Sequence, residues 1–281
     1  MRGGNCMVGL IGAGIEGSLS PALHEREADE LGIRYSYELI DIDLLGVPAE
    51  AVGRLLQDAR GRGLRGVNVT HPCKQLVMTH LDQLDAAAAK VGAVNTVLFE
   101  DGRSIGHNTD WFGFEEGFKR GLPGVALDRV VLVGAGGAGA AVGHALHALG
   151  VRELAVADVD LDRAEALARP LNARACKPQD LPALLASADG LVNATPVGMI
   201  GHPGVPVPAE LLQPPLWVAD VIYRPLETDL LRLADQAGCR TLNGGGMVVF
   251  QAAQAFHLFT GVEPDGERML SHFRELACVD R

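Results

Sequence analysis

The chain has 281 residues and a formal net charge of -11, and 48% of its residues are hydrophobic. That length fits one large domain or two ordinary ones, with enough apolar residues to fill one or two cores. The acidic balance argues against nucleic-acid and membrane partners, because it would be repelled by phosphate backbones and anionic lipids. No apolar run approaches the roughly 18 residues of a spanning helix, and the start of the chain does not resemble a signal peptide.

Glycine and cysteine usage narrow the class further. The 35 glycines and 5% aromatic residues favour an α/β protein with many tight turns over an all-β sandwich. The five cysteines are an odd number and include no CxxC pair, so neither a disulfide framework nor a zinc site is indicated. We therefore expect a protein of the reducing cytoplasm that holds no metal.

The first third of the chain alternates predicted strands and helices. A strand in MVGLIGAG precedes a helix in SPALHEREADELG, for which Ser20 is a candidate cap and Gly32 a stop. Two further strands are predicted in YSYELIDI and LRGVNVT, with a helix in PAEAVGRLLQDARGRG between them. This β-α-β-α-β succession favours a parallel sheet.

A second α/β segment begins near residue 126. RVVLVGAGGAGAAVGHALHALG combines an apolar strand, a glycine turn and a helix, and ELAVADVD is the next strand. A helix in RAEALARPL, strands in GLVNATP and LWVADVIY, a helix in ETDLLRLADQAG and a short strand in CRTLNGG follow. The closing segment GMVVFQAAQAFHLFTG is predicted to be a helix that is too apolar for a surface. We expect it to pack back against the first domain or to lie between the two domains.

The glycine turn of the second segment has the G-x-G-x-x-G spacing of a dinucleotide site. Its residues are Gly134, Gly136, Gly137, Ala138 and Gly139. A strand enters the turn and a helix leaves it, so the backbone can approach a pyrophosphate at the helix N-terminus. Asp158 lies at the expected offset of about 20 residues, where a carboxylate accepts from a ribose 2′-hydroxyl and repels a 2′-phosphate. Asp160 adds negative charge. Arg163, the nearby cation and a further candidate for binding the cofactor, lies in the following helix, so NAD is favoured over NADP.

Polar side chains recur where strands of the first domain are expected to end. They are Ser18, Ser20, Asn68, Thr70, Lys74, Asn95, Thr96, Asn108 and Asp110. In an open parallel sheet, ligands bind at the carboxyl ends of the strands. Hydroxyls and amides in this number suit a small molecule with several hydroxyl groups, although each of them alone is a common turn or cap former.

Eight segments of the chain resemble the shikimate dehydrogenases. They are SLSPALH, GVNVTHPCK, VGAVNT, HNTDWFGF, GAGGAG, VNATPVGM, DVIYRPLETDLL and GMVVFQAAQAF, in the order of the family. The resemblance implies a two-domain α/β enzyme. Its substrate domain, with a mainly parallel sheet, would be residues 1–109 with 247–281, and its Rossmann-like nucleotide domain residues 110–246. It further implies reversible oxidation of a secondary alcohol of a cyclitol carboxylate to a ketone, with NAD or NADP.

The resemblance also implies roles for single residues. Lys74 and Asp110 match the catalytic pair, and oxidation of an alcohol does require a group that takes the hydroxyl proton. Which of the two takes it stays open. The positions that match the binding of the substrate carboxylate are Ser18, Ser20 and Tyr223, and those that match the ring hydroxyls are Asn68, Thr70, Asn95 and Gln251. The further matches near the cofactor are Thr195, Gly244 and Met247.

Departures from the family pattern bear on cofactor and substrate. NADP-using members usually carry Asn-Arg-Thr after the second nucleotide strand, whereas this chain has Asp-Val-Asp at residues 158–160. The His-Pro-Cys-Lys of residues 71–74 is similar to that of the NAD-dependent quinate/shikimate dehydrogenases. Glu25 and Asn243 replace a usual Asn and Asp, with an effect that the sequence does not reveal. We expect an NAD-linked dehydrogenase of shikimate, quinate or both, shifted from a biosynthetic toward a catabolic role.

Other interpretations stay open at this stage. One is an NADP-dependent biosynthetic shikimate dehydrogenase, and another is a non-catalytic sensor of NAD and a cyclitol acid. The intact Lys74 and Asp110 argue against the sensor, and against a dehydrogenase of amino acids or folate derivatives. Cys73 as a nucleophile is disfavoured, as are His144 and His147 as metal ligands, for which we expect a solvated helix face. A homodimer is compatible with the sequence, which does not decide the oligomeric state.

Overall fold

The protein forms two compact units in a computed structural model that describes residues 5–279. The first unit lies within Met1–Thr109 and Val249–Arg281, and the second is Asp110–Val248. Each unit is built around its own β-sheet with helices packed on it. The chain therefore belongs to the two-domain α/β class that the sequence predicts.

The elements follow each other mostly as alternating strands and helices. The strands are β1 Cys6–Gly12, β2 Tyr35–Asp41, β3 Gly66–Val69, β4 Gln83–Leu84, β5 Thr96–Glu100, β6 Arg103–His107, β7 Arg129–Val133, β8 Glu153–Ala157, β9 Arg174–Cys176, β10 Gly190–Asn193, β11 Trp217–Asp220 and β12 Arg240–Leu242. The helices are α1 Ser20–Glu30, α2 Val52–Gly61, α3 Ala86–Val91, α4 Thr109–Gly121, α5 Gly137–Ala148, α6 Leu161–Ala168, α7 Leu181–Leu185, α8 Asp229–Gln236, α9 Gly245–Thr260 and α10 Gly266–Val279. The chain enters the second unit within α4 and returns to the first within α9.

The sheet of the first unit has the strand order β2-β1-β3-β5-β6-β4. β1, β2 and β3 run parallel, as the β-α-β-α-β succession predicts, whereas β5 runs antiparallel to both β3 and β6. Thr96, at the start of β5, pairs with Asn68 on β3 and with His107 at the end of β6. Asn95 and Thr96 were expected to lie at the end of a strand, but they lie at the beginning of β5. Because β5 runs antiparallel to β3, its beginning still lies beside the carboxyl end of β3, at the same edge of the sheet.

The start of α1 differs slightly from the prediction. Ser20 is the first helical residue, while Leu19 holds the cap position and makes no side-chain cap bond. The Ser18 hydroxyl accepts from the Ser20 backbone N–H at 3.3 Å, so the two serines are coupled through the turn. Gly32 follows the end of the helix with a φ of 66°, in the left-handed region that glycine tolerates best.

The apolar part of α9 that follows residue 248 belongs to the first unit. Its Ala255 and Phe259 are fully buried in a cluster with Val8 and Leu10 of β1. Burying a large apolar side chain contributes about 1.5–3 kcal/mol, which explains why this helix leaves the surface. This placement is the first of the two that the sequence predicts for the closing segment.

An ion pair between a buried carboxylate of α1 and a partly exposed arginine joins α10 to α1. The Glu27 side chain is 0% exposed, and its carboxylate accepts from Arg268 Nε at 2.9 Å and from Arg268 Nη2 at 2.6 Å. The Asp265 backbone N–H donates to the same carboxylate at 2.7 Å. The buried carboxylate is thus paired with a cation and hydrogen-bonded, which makes its burial tolerable.

Replacing Arg268 by alanine is expected to lower the free energy of unfolding by about 3 kcal/mol, because a buried carboxylate loses its cation. The control is Arg26→Ala, which breaks the exposed pair Arg26–Glu275 and should cost less than about 1 kcal/mol. Urea unfolding of both variants measures the difference. Equal losses would show that the burial of Glu27 does not govern this contact.

The sheet of the second unit is parallel throughout, in the order β12-β11-β10-β7-β8-β9. The chain lays down β7, β8 and β9 in one direction, then returns to place β10 on the other side of β7 and continues outward. This reversal creates a crevice between the carboxyl ends of β7 and β10, the place where open α/β sheets bind ligands. The glycine turn follows β7 and therefore lies at this switch point.

His144 and His147 do not share a solvated helix face, so that expectation was wrong. His144 is 2% exposed, and its ring centroid lies 6.3 Å from that of Trp111. His147 is exposed on the same helix, α5.

Within residues 5–279, no cluster of three or more His, Cys, Asp or Glu is suited to a metal ion. None of the helices in that part of the chain combines the length and the apolar character needed to traverse a bilayer.

Candidate functional site

A carboxylate at the end of β2 holds the loop that follows β1. Asp41 Oδ1 accepts from the Gly14 N–H at 3.2 Å, and Oδ2 accepts from the Ile15 N–H at 2.8 Å. Burial opposes ionisation of Asp41, but these backbone donors outweigh it and lower the pKa of its carboxyl. The loop leads into Ser18 and Ser20, whose side chains are partly exposed. Two predicted substrate residues thus stand on an anchored turn.

Asn68 and Asn95 form the centre of a buried polar network at the edge of the first sheet. Asn68 Nδ2 donates to Thr96 Oγ1 at 2.9 Å, and its Oδ1 accepts from the Tyr37 hydroxyl at 2.8 Å. Asn95 Oδ1 accepts from the Thr109 N–H at 2.7 Å, and its Nδ2 donates to Thr109 Oγ1 at 2.9 Å. Because each amide is held from both ends, its donor and acceptor directions are fixed before any ligand binds.

Further predicted residues reach the same edge. Gln251 Oε1, from α9, lies 3.5 Å from both Asn95 Nδ2 and Thr109 Oγ1. The carbonyl oxygen of Lys74 accepts from the Val94 N–H at 2.9 Å, which anchors its backbone one residue before Asn95. Thr70, whose N–H donates to a carbonyl of β1, is partly exposed. The first unit thus gathers most of its predicted substrate residues at one sheet edge.

Asp110 directly follows Thr109 in the chain and is the first residue of the second unit. It is 6% exposed and lies in the first turn of α4. Tyr223, the remaining predicted substrate residue, is partly exposed in the segment after β11 and also belongs to the second unit.

Tyr37 and Thr109 complete the polar network, although neither is among the residues predicted from the sequence. Tyr37 stands within β2, where a tyrosine is ordinary, so only its partner reveals its role. The Tyr37 N–H donates to Glu25 Oε1 at 2.9 Å, which gives a structural role to the residue that departs from the family pattern.

Cys73 is fully buried, and burial with the Glu50 carboxylate nearby raises the pKa of its thiol. A reactive thiolate is thereby disfavoured.

The glycine turn between β7 and α5 tolerates no side chain at two of its positions. A Cβ on Gly134, whose φ is 103°, would lie 2.8 Å from the Ala194 carbonyl oxygen. A Cβ on Gly139 would lie 2.0 Å from the Gly134 carbonyl oxygen. A Cβ on Gly136 would instead meet no atom within 4 Å. The turn therefore packs tightly at Gly134 and Gly139 and leaves open space at Gly136, beside the N-terminus of α5.

Asp158 ties the end of β8 to this turn. Its Oδ2 accepts from the Ala135 N–H at 2.7 Å, and its Oδ1 accepts from the Asp160 N–H at 2.9 Å. Each carboxylate oxygen has a second lone pair, so a hydroxyl can still donate to Asp158. The Asp160 carboxylate accepts from the N–H groups at the start of α6 and pairs with Arg163 Nε at 3.2 Å. Arg163 is thus engaged by a carboxylate.

The loop after β10 carries Thr195, whose N–H and hydroxyl both donate to Asn193 Oδ1, at 3.1 and 2.7 Å. Asn193 Nδ2 donates in turn to Asp220 Oδ1 at 3.1 Å. Burial raises the pKa of Asp220 to about 6, although the N–H of Ile222 and the side chains of Thr228 and Asn193 donate to it and act the other way. Thr195 is predicted from the sequence, whereas Asn193 and Asp220, to which it is linked, are not.

Gly244 and Met247 line a small cavity together with Asp220 and Asn243. A Cβ on Gly244 would lie 2.2 Å from the Val221 carbonyl oxygen, so this backbone approach requires glycine. Asn243 Oδ1 accepts from the Gly245 N–H at 3.0 Å at the start of α9. An aspartate could do the same, which accounts for the tolerance of asparagine at this position.

Comparison with known proteins gives two matching family models. The shikimate dehydrogenase substrate binding domain matches residues 10–97, and shikimate / quinate 5-dehydrogenase matches residues 118–198. A shikimate dehydrogenase (NADP(+)) of Streptomyces avermitilis is 62% identical over 96% of this chain and 96% of its own.

Two solved structures are similar over nearly the whole chain. Quinate dehydrogenase from Corynebacterium glutamicum in complex with NAD has 44% identity and a TM-score of 0.89, over 96% of this chain and 99% of that one. Shikimate 5-dehydrogenase from Thermus thermophilus in complex with NADP(H) and shikimate has 39% identity and a TM-score of 0.85, over 96% and 99%.

Proposed function

Because the chain belongs to the shikimate dehydrogenase family, we propose that it catalyses the NAD-linked, reversible oxidation of shikimate to 3-dehydroshikimate, of quinate to 3-dehydroquinate, or of both. The family activity itself is that of an oxidoreductase acting on a CH–OH group with a pyridine nucleotide. The finer choices of nucleotide and acid are the substance of the proposal.

The buried amide network supports a polyhydroxylated acid as the substrate. Side chains whose hydrogen-bonding directions are already fixed bind hydroxyl groups without a further ordering cost and reject analogues that leave them unpaired. The residues proposed to bind ring hydroxyls are Asn68, Thr70, Asn95 and Gln251. Those proposed to bind the carboxylate are Ser18, Ser20 and Tyr223.

The proposed chemistry requires one proton acceptor on the protein. A pyridine nucleotide, when bound, supplies the acceptor for the hydride. The residues proposed to hold it are Gly134, Gly136, Gly137, Ala138 and Gly139 of the glycine turn, together with Asp158, Arg163, Thr195, Gly244 and Met247. The Lys74 amine takes the proton of the substrate hydroxyl while the hydride leaves the carbon that carries this hydroxyl. The Asp110 carboxylate orients the amine.

The proposal that NAD is preferred over NADP rests on the carboxylates that follow β8. In this proposal the Asp158 carboxylate, which accepts from the Ala135 N–H of the glycine turn at 2.7 Å, also accepts from a ribose hydroxyl. A 2′-phosphate there would be repelled by Asp158 and Asp160, while Arg163 is already paired with Asp160. NADP is the second candidate, because the Streptomyces avermitilis relative, at 62% identity, is named an NADP-dependent enzyme.

Steady-state kinetics with quinate and shikimate, each with NAD and with NADP, tests the proposal. We expect kcat/KM to be higher with NAD than with NADP for at least one of the acids. A preference for NADP with both acids would replace the first candidate by the second. Absence of turnover in all four combinations would favour a non-catalytic sensor.

Asp158→Ala is expected to raise the Kd of NADH about 10- to 100-fold, because a hydrogen bond to a charged group is worth about 1.5–3 kcal/mol. The Kd of NADPH should rise less, because the substitution also removes repulsion of the 2′-phosphate. Asp162→Ala, an exposed carboxylate in the first turn of α6, is the control and should leave both Kd values unchanged. Fluorescence titration measures them, and an unaltered NADH/NADPH ratio for Asp158→Ala would show that this carboxylate does not contact the ribose.

A further inference from the structure

Asp220, at the end of β11, is a carboxylate with 2% exposure and only neutral donors around its oxygens in the contacts that the structure gives. Oδ1 accepts from Asn193 Nδ2 at 3.1 Å and from the Ile222 N–H at 3.0 Å. Oδ2 accepts from the Thr228 hydroxyl at 2.8 Å. Burying a carboxylate is energetically costly, so the presence of one here suggests a role that an apolar side chain could not fill.

The ionised Asp220 carboxylate can only accept hydrogen bonds, and it thereby fixes the orientation of the Asn193 side-chain amide. Asn193 must turn its Nδ2 toward Asp220, and the same Nδ2 donates to the Val197 carbonyl oxygen at 3.2 Å. The Asn193 Oδ1 is thereby left to face Thr195, from which it accepts both the N–H and the hydroxyl proton. Reversing the amide would turn Asn193 Oδ1 toward two other acceptors, Asp220 Oδ1 and the Val197 carbonyl oxygen, and would turn Nδ2 toward the Thr195 N–H.

The hydroxyl of Thr195 is consequently directional. Its one proton is used on Asn193 at 2.7 Å, and one of its lone pairs accepts from the Val197 N–H at 3.2 Å. Toward any bound molecule, Thr195 Oγ1 therefore offers a lone pair and not a proton. It suits a hydrogen-bond donor, such as a ribose hydroxyl or the N–H of a carboxamide.

We infer that Asp220 is a positioning residue for the nucleotide: through Asn193 it orients the Thr195 hydroxyl as an acceptor for a donor group of the cofactor. This inference rests on the proposed contact between Thr195 and the nucleotide. The second branch from Asp220 runs to Thr228, whose hydroxyl also accepts from the Leu231 N–H and caps α8. That branch is structural, so the two functions of the carboxylate can be separated by substitution.

A double-mutant cycle on NADH binding tests the inference. Asp220→Ala and Thr195→Val should each raise the Kd of NADH, measured by fluorescence titration, about 3- to 10-fold, the loss expected for one hydrogen bond. If Asp220 acts on NADH binding only through the hydrogen bonds that lead to Thr195, the double variant should bind NADH no more weakly than the weaker-binding of the two single variants. Additive losses would overturn the inference.

Conservative and control variants sharpen the test. Asp220→Asn can keep its Oδ1 toward Asn193 and Ile222 and donate from Nδ2 to the Thr228 oxygen, so NADH affinity should return to within about twofold of wild type. Affinity as low as that of Asp220→Ala would show that charge, not orientation, matters, and would overturn the inference. Thr228→Ala should lower the unfolding temperature without changing the Kd, and an equal rise in Kd would contradict the separation of the branches.

Failure of the underlying proposal has its own signature. Thr195→Val with wild-type NADH affinity would remove the proposed cofactor contact of Thr195, whatever Asp220 does. Should Asp220→Ala be recovered unfolded, Asn193→Leu takes its place in the cycle, because it breaks the same chain and leaves the bond between Asp220 and Thr228 intact. Additivity with Thr195→Val would then again overturn the inference.

Discussion

Replacing Lys74 by alanine is expected to lower kcat for alcohol oxidation by about 10²- to 10⁴-fold, the usual contribution of a positioned general base. The backbone of Lys74 is anchored by the bond from the Val94 N–H to its carbonyl oxygen, which the substitution leaves in place. The fold of the first unit and the affinity for NADH should therefore change much less than kcat. Rapid spectrophotometric assay of NADH formation, beside circular dichroism and NADH titration, separates these effects.

Two further lysine substitutions define what the side chain supplies. Lys74→Arg keeps a positive charge, but a guanidinium stays protonated and cannot accept a proton, so this variant should be nearly as slow as Lys74→Ala. Lys90→Ala removes an exposed lysine of α3 in the same unit and should retain the wild-type kcat. A near-normal rate for Lys74→Ala would remove this amine as the base and leave Asp110 as the candidate.

Two alanine substitutions in the glycine turn are expected to fail in different ways. Gly139→Ala places a Cβ 2.0 Å from the Gly134 carbonyl oxygen, so the turn must open. Overpacking of this kind costs about 1–3 kcal/mol or more, and both stability and NADH binding should suffer. Gly136→Ala meets no atom within 4 Å at a φ of -76°, so its stability should equal that of the wild type.

The added methyl of Gly136→Ala would nevertheless occupy the space assigned to the pyrophosphate. We expect the Kd of NADH to rise about 10- to 100-fold, from a steric cost of about 1–3 kcal/mol. Urea unfolding and NADH titration on the two variants give the four numbers required. Wild-type affinity for Gly136→Ala would mean that the nucleotide does not approach the backbone at this residue.

Strands were predictable from the sequence where an apolar pattern was long enough to recognise or where a glycine marked the end of the strand. β1 to β3, β7 and β8 follow such patterns, whereas the three residues of β9 are too few to show a period. The antiparallel pair β5 and β6 had an unused signal in Asp101-Gly102, a hairpin dipeptide whose residues have φ values of 48° and 75°. This hairpin makes Asn95 precede a strand, so the expectation that it follows one was wrong.

The candidate site was predictable at the level of residue types and not of hydrogen-bond partners. Motif resemblance selects Asn68 and Thr195, because their identity is visible in the sequence. It does not select Tyr37 or Asp220, because their roles arise from partners 31 and 27 residues away in the chain. His144 shows the same limit, since helical spacing alone does not reveal which face of α5 is buried.

Chemical rescue of Lys74→Ala tests the central claim, that an amine at this position takes the hydroxyl proton, most directly. Small primary amines added to the buffer should restore part of the rate of NADH formation, in proportion to the concentration of the unprotonated amine, whereas alcohols of the same size should not. Folded Lys74→Ala that binds shikimate and NAD but responds to no amine would contradict the account.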